Sequence, residues 1–234
     1  MGAIIKRELS SYFNSAIGYI VLAVFYFFSG LFFYMYCLLS NTASMNYVFL
    51  SMLMIVMLII PIITMRSFSE EKKQKTDQAL LTAPVSLTEI VLGKFFGAFI
   101  LYCLCNAVYL FYAVILMFYG TPDWAVLCST LLGMLLMGGA LIAIDLFISA
   151  LTESQVIAVV ISIGVGLFIY MIDSLSNMLN VEWLTGILHN ISFDAHFTNF
   201  INGIINITSV VFFLSVIGIF LFLCVRVFEK RRWS

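Results

Sequence analysis

Charged residues are scarce in this sequence, and long stretches contain none at all. Asp, Glu, Lys and Arg make up 10% of the 234 residues, whereas soluble proteins carry about 25%. Hydrophobic residues make up 63%, and the mean hydropathy is +1.12. A water-soluble core cannot bury this much apolar surface, so lipid must be the solvent for most of the chain.

Proline is also scarce, with only three in the chain, and this leaves long stretches without a helix breaker. A membrane barrel would show segments of about ten residues with alternating polarity, and the apolar runs here do not alternate. The net charge is only −1, which excludes a general polyanion-binding protein. Together these features predict an all-α membrane protein.

Six apolar runs are long enough to cross a bilayer, which takes about 20 residues. They cover residues 16–39, 47–65, 95–119, 124–150, 155–175 and 207–227. All eleven Lys and Arg residues lie near or beyond the ends of these runs, and six spans would place all of them on one side of the membrane. The positive-inside rule then predicts that this side, which carries both termini, is cytoplasmic.

The segments outside the six runs have different characters. Residues 1–15 carry apolar side chains at helical spacing, which predicts an amphipathic helix along the cytoplasmic interface. Residues 176–206 form the longest outer connection, and their aromatic and aliphatic side chains predict short re-entrant helices in the outer leaflet. No internal repeat or linker is visible, so residues 1–234 are interpreted as one transmembrane domain.

The only sizeable cytoplasmic loop is the segment 66–94. Residues 68–81 indicate a highly charged helix, and Pro84 ends it because proline disfavours helix in the residue before it. Ser86 or Thr88 can cap a second helix that runs directly into the third span. A helix that projects from the membrane suits contact with a motor protein, but the charge pattern alone is equally compatible with a solvated loop.

This segment resembles the cytoplasmic coupling segment of type-2 ABC exporter permeases. The family pattern is Arg-x-Phe-x-Glu-Glu-Lys, then Gly-Thr, Leu-Leu-x-x-Pro-Val-Ser and Glu-Ile-Val-Leu-Gly-Lys. The matching residues are Arg66, Phe68, Glu70, Glu71, Lys72, Thr76, Leu80, Leu81, Pro84, Val85, Ser86, Glu89, Ile90, Gly93 and Lys94. Lys75 stands where the family commonly has glycine, and Gln78 lies where a leucine is common.

Further stretches resemble the branch of this family that includes gliding-motility and nitrous-oxide-reductase-maturation permeases. They are residues 15–20, 60–66, 149–155 and 193–197. The resemblance covers nearly the whole chain. It implies six transmembrane helices, an N-terminal interface helix, a cytoplasmic coupling helix and outer re-entrant helices.

The resemblance also implies a function. The chain would be the permease subunit of an ATP-driven exporter in the bacterial cytoplasmic membrane, working with cytosolic ABC ATPase subunits and a second copy or a related permease. The residues implied in ATPase coupling are Phe68, Glu70, Glu71, Lys72, Thr76, Leu80, Leu81, Pro84 and Glu89. The chain has no Gly-x-x-x-x-Gly-Lys-Ser/Thr motif. ATP and Mg²⁺ are therefore expected on the partner, with no cofactor and no enzymatic activity in this chain.

The fourth apolar run contains two kinds of unusual residue. Gly133, Gly138 and Gly139 are interpreted as points of close helix packing. Asp145 is a carboxylate inside the run, which is costly in a membrane and marks a functional hypothesis by default. It has either a proton- or cation-sensitive role or a side chain that reaches the inner interface or a neighbouring polar group, and the second interpretation is favoured.

His189, Asp194 and His196 are the candidates for a metal site in the outer loop. Their spacing fits no structural-zinc pattern, so partly exposed loop histidines are favoured and no metal is predicted. Two other functions stay open. One is a membrane anchor or sensor that recruits an ATPase without transport, and the other is an intramembrane enzyme built on Asp145, Asp173 and the histidines.

Overall fold

The structure is a computed structural model, and it describes residues 1–73, 86–118, 120, 123–179 and 190–233. Within these residues all regular structure is helical, which confirms the predicted fold class. The helices are α1 (Gly2–Asn14), α2 (Ala16–Phe33), α3 (Asn46–Lys73), α4 (Leu87–Asn106), α5 (Val108–Leu116), α6 (Trp124–Leu151), α7 (Gln155–Leu179), α8 (Phe193–Ile201) and α9 (Ile207–Trp233).

Six helical stretches in the described part of the chain are long and apolar enough to cross a membrane, so the prediction of six spans is confirmed. They are Ala16–Leu38, Asn46–Lys73, Leu87–Leu116, Trp124–Leu151, Gln155–Ile172 and Ile207–Lys230. The first stretch ends in a π-helical turn, Tyr34–Leu38, and the third joins α4 to α5 through Ala107.

Helix α6 lies at the centre of the molecule. It packs against α3, α4, α7, α8 and α9, and 72% of its most apolar stretch is buried inside the chain, compared with 11% for α9. Small residues allow this because they let helix backbones approach each other closely. At Gly133, a Cβ atom would lie 2.7 Å from Cβ of Phe200 in α8. The glycines of α6 are therefore packing positions, as predicted.

Helix α1 confirms the helix predicted over residues 1–15, and one of its faces is covered by protein. It packs along the first half of α4, where Gly93 and Gly97 leave room for it. A Cβ atom at either glycine would lie 2.7 Å from a side-chain atom of Ile4 or Glu8. The position of α1 at a membrane interface stays a prediction.

The helices of the second and third spans extend beyond the apolar runs into the charged segment. Helix α3 continues past residue 65 to Lys73, and an i,i+4 ion pair between Arg66 and Glu70 (2.6 Å) lies on this extension. Helix α4 begins at Leu87 and runs directly into the third span, as predicted. The limits of the two spans within a membrane stay predictions. Ser86 caps α4 by accepting a hydrogen bond from the backbone N–H of Glu89 (3.3 Å).

The outer connection contains α8, which packs against α6. Ser192 caps α8 by accepting a hydrogen bond from Ala195 N–H (3.2 Å), and Ser129 of α6 donates to the carbonyl of Phe200 (2.7 Å). A short helix in this region is therefore confirmed. Its depth in the membrane stays a prediction, and residues 180–189 lie outside the described residues.

Candidate functional site

Charged side chains cluster where α1, α3 and α4 meet. Lys94 of α4 is only 2% exposed, and its Nζ lies 3.0 Å from Glu8 Oε1 and 2.9 Å from Glu71 Oε1. Glu71 also accepts a hydrogen bond from Arg7 (2.8 Å). We call these four residues the Lys94 junction. Two carboxylates and two cations alternate in it, so the cluster is electrically neutral.

The buried Nζ of Lys94 has further partners besides the two carboxylates. Its ammonium group donates a hydrogen bond to the backbone carbonyl of Ser67 and lies 4.9 Å from the centre of the Phe68 ring, a cation–π distance. Gly97 lies one turn away and lets α1 approach closely enough for Glu8 to reach the ammonium. Helices α1 and α3 therefore supply the partners of an ammonium group that α4 carries.

A second set of contacts joins the end of α3 to α6 and α9. The ring of Phe68 packs against Phe228 of α9, with centroids 4.7 Å apart. The backbone N–H of Phe68 lies 3.3 Å from Ser149 Oγ of α6. Lys72 donates a hydrogen bond to the carbonyl of Ala150, near the end of α6. The last two turns of α3 thus contact four other helices.

The predicted coupling residues occupy different environments. Phe68 and Lys72 are buried in this chain (2% and 9% exposed), so any coupling role they have acts through the helices they hold together. Glu70 pairs with Arg66, Glu71 belongs to the Lys94 junction, and Glu89 lies 3.8 Å from the amino terminus. The other four lie outside the described residues: Thr76, Leu80, Leu81 and Pro84.

Sequence reasoning missed Glu8 and Arg7 as parts of this site and used Lys94 only as a motif residue. One signal was present in the sequence. Lys94 stands between glycines at 93 and 97 at the start of an apolar helix, where an unpaired cation would be costly. That cost indicates a buried partner, although it does not say which carboxylate is the partner.

Replacing Phe68 with alanine is expected to lower the free energy of unfolding by about 3–5 kcal/mol, the usual cost of removing a fully buried phenylalanine. The loss would come from the contacts with Lys94 and Phe228. It can be measured by denaturant titration of the purified chain in detergent. Phe27→Ala is the matched control because Phe27 is 65% exposed. Equal losses in the two variants would contradict the packing described for Phe68.

Asp145 is buried in α6 (4% exposed), and Ser162 of α7 is a polar neighbour of its side chain. The favoured interpretation, a carboxylate that reaches the inner interface or a neighbouring polar group, stays a prediction. Asp173 lies within α7, and its side chain is outside the described part of the structure.

His196 lies in α8, one of the short helices expected in the connection 176–206, and Ser192 caps this helix four positions before the histidine. His196 Nδ1 lies 3.0 Å from Ser209 Oγ, Nε2 lies 3.1 Å from the Asn190 carbonyl, and the ring stacks on Phe212 at 4.2 Å. No group of three potential metal ligands occurs among the described residues, which do not include His189.

Comparison with known proteins agrees with these features. A family model described as ABC-2 family transporter protein matches residues 5–229. No curated protein matches the chain. The family match covers the six candidate spans almost completely and includes all members of the Lys94 junction. The chain therefore belongs to the ABC-2 transporter family and is a multi-pass membrane permease component of an ABC transporter.

Proposed function

We propose that this chain is the permease subunit of an ATP-driven exporter and couples to separate cytosolic ATPase subunits through the segment 66–94. In this proposal both termini are cytoplasmic, the chain pairs with a second copy or a related permease, and it belongs to the gliding-motility and nitrous-oxide-reductase-maturation branch. The observation that carries the proposal is the Lys94 junction, which joins the two helices that enter and leave the segment.

The first step of the proposed coupling is transmission of force into the spans. Helix α3 runs without a break from Asn46 to Lys73, and α4 begins at Leu87. A push on the residues between these helices would therefore act on helices that continue through the membrane. Because Lys94 of α4 forms an ion pair with Glu71 of α3 (2.9 Å), the end of α3 and the start of α4 would move together.

The second step is transmission to the rest of the permease. The Phe68–Phe228 contact and the Lys72 hydrogen bond to Ala150 connect the same part of α3 to α9 and α6. When a helix can adopt two alternative positions, packed contacts of this kind transmit its movement to the helices it touches. ATP-driven closure of the partner would thus switch the spans between inward- and outward-open states. The apolar spans favour an amphipathic, lipid-like or peptide-like cargo.

The test uses the cytosolic ABC ATPase encoded beside this chain. Glu70→Arg and Glu71→Arg are unsuitable alone, because both residues bind cations within this chain and their loss would damage the fold. Leu80→Glu/Leu81→Glu changes two coupling residues that the sequence pattern predicts to be exposed. We expect roughly 30-fold weaker association, as for the loss of an apolar interface anchor, and ATP hydrolysis equal to that of the ATPase alone. Co-purification and phosphate release measure the two effects.

The control is Leu38→Glu/Leu39→Glu, which makes the same chemical change at the π-helical end of the first candidate span, on the side predicted to lie away from the cytoplasm. It is expected to leave ATPase association unchanged. If no ATPase co-purifies with the wild-type chain, or if both double variants behave alike, the coupling assignment is wrong.

The alternative of a non-transporting anchor or sensor predicts normal association with no cargo movement in reconstituted vesicles. An intramembrane enzyme predicts activity that Asp145→Ala abolishes and that does not depend on the ATPase.

A further inference from the structure

A groove of about 260 Å³ lies between the start of α4 and the end of α9. Leu92 of α4 and Leu221 and Val225 of α9 line its apolar part, and Thr88 and Arg226 lie at its polar end. Both helices belong to candidate spans, so a surrounding bilayer would place acyl chains next to the apolar part of the groove. Its combination of an apolar part and a polar end is complementary to an amphipathic ligand.

The polar end of the groove is lined by one cation, Arg226, and one carboxylate, Glu229. Arg226 is 60% exposed, and its guanidinium lies 4.9 Å from the centre of the Phe222 ring, which holds it over the groove. Glu229 contacts only Nη1 of this group (2.6 Å), and a guanidinium has five N–H donors. Lys230 follows one turn after Arg226 and is exposed, so the described side chains at this end of α9 include two cations and one carboxylate.

We propose that this groove binds an anionic diacyl phospholipid from the surrounding leaflet. One acyl chain would lie along Leu92 and Val225, and the phosphate would lie against Arg226 and Lys230. Basic pockets between transmembrane helices at a membrane surface bind anionic headgroups in this way. The proposal rests on the proposed topology only in assigning the lipid to the cytoplasmic leaflet.

The position of the groove connects the lipid to the coupling contacts. Phe228, which packs against Phe68, lies between Arg226 and Glu229 on the same turns of α9. Lys94 follows the groove residue Leu92 by two positions in α4. A lipid bridging α4 and α9 would therefore hold in place two of the helices that contact the end of α3.

The proposal can be tested by titrating the purified chain in detergent with fluorescent phosphatidylglycerol and with phosphatidylcholine of the same acyl composition. The wild type is expected to bind phosphatidylglycerol at least about five-fold more tightly. Arg226→Ala/Lys230→Ala is expected to weaken phosphatidylglycerol binding roughly 30-fold, or about five-fold per cation, with phosphatidylcholine unchanged. Glu229→Gln removes the one carboxylate and is expected to tighten phosphatidylglycerol binding.

Two controls distinguish lipid binding in the groove from general electrostatic attraction of the lipid to the protein. Lys6→Ala/Lys73→Ala removes two exposed cations elsewhere and is expected to leave the selectivity intact. Leu92→Trp fills the groove and is expected to weaken binding of both lipids. Leu214→Trp makes the same change at a position that is 52% exposed and outside the groove, and no effect is expected.

Several results would overturn the proposal. They are equal affinity for the two lipids, an equal loss in Lys6→Ala/Lys73→Ala, and unchanged binding in Leu92→Trp. If Leu92→Trp changes the oligomeric state and leaves lipid affinity intact, the groove is a contact between copies of the chain. Lipid binding is measured without ATP or ATPase, so its failure is distinct from failure of the proposed coupling.

Discussion

Replacing Lys94 with methionine is expected to lower the free energy of unfolding by about 3–5 kcal/mol, because it leaves the buried Glu8 and the partly buried Glu71 without their shared cation. Lys94 is 2% exposed, so water cannot take the place of the ammonium group. Glu71 keeps its contact with Arg7, which makes Glu8 the more severely affected carboxylate. Denaturant titration of the purified chain in detergent measures the loss.

A compensated variant separates the charge effect from the loss of packing. In Glu8→Gln/Glu71→Gln/Lys94→Met all three buried groups are neutral and similar in shape to the originals, and most of the lost stability is expected to return. Lys6→Met is the matched control because Lys6 is an exposed lysine of α1. A Lys94→Met variant as stable as Lys6→Met would show that the buried ion cluster does not stabilise the fold.

The compensated variant also tests the proposed coupling. If the junction serves stability alone, the neutral triple variant should stimulate the ATPase like the wild type. If the ion cluster makes the bases of α3 and α4 move together, stability should return and ATPase stimulation should remain low. Comparing unfolding with phosphate release in the same preparations separates the two roles of Lys94.

Replacing Gly138 with valine is expected to cost about 3 kcal/mol of stability, near the upper end of the usual range for overpacking a core. A Cβ atom at this position would lie 2.2 Å from Cε1 and 2.4 Å from Cζ of Tyr102. The Tyr102 ring is fully buried, and its hydroxyl donates to the Met134 carbonyl (3.0 Å). The ring would have to leave this position, so both the hydrogen bond and the packing of α4 on α6 would be lost.

The same site offers a test by compensation. Tyr102→Leu removes the atoms that meet the new side chain, so Gly138→Val/Tyr102→Leu is expected to be at least about 1 kcal/mol more stable than the sum of the single changes. Gly164→Val is the control, because a Cβ atom at Gly164 of α7 would meet nothing within 4 Å in this chain. Strict additivity of the two single changes would contradict the close contact between Gly138 and Tyr102.

The charged segment shows where prediction from the sequence succeeded and where it did not. Ser86 was one of two predicted caps, and it starts α4 because its side chain lies within hydrogen-bonding distance of Glu89 N. A cap side chain bonds a backbone N–H only two or three residues later, so a helix start can be predicted from the local sequence. Phe68 and Lys72 were expected to meet a partner protein, yet both are buried in this chain. Their partners lie on α6 and α9, far along the sequence.

The six spans and the all-α class follow from the sequence alone. In lipid each span must satisfy its backbone hydrogen bonds internally, so a long apolar run already specifies a helix. The pattern around residues 66–94 indicated the family, and the family match confirms it.

The tertiary structure decided which residues meet. In a membrane, apolar side chains cover both the lipid-facing and the buried faces of a helix, so polarity does not identify its neighbours. The pairing of Lys94 with Glu8, 86 positions away, follows from the packing of α1 on α4 at Gly93 and Gly97. The scarcity of charge thus identified lipid as the solvent of this protein, and the packing of its helices gave one of its few charges, Lys94, two carboxylate partners.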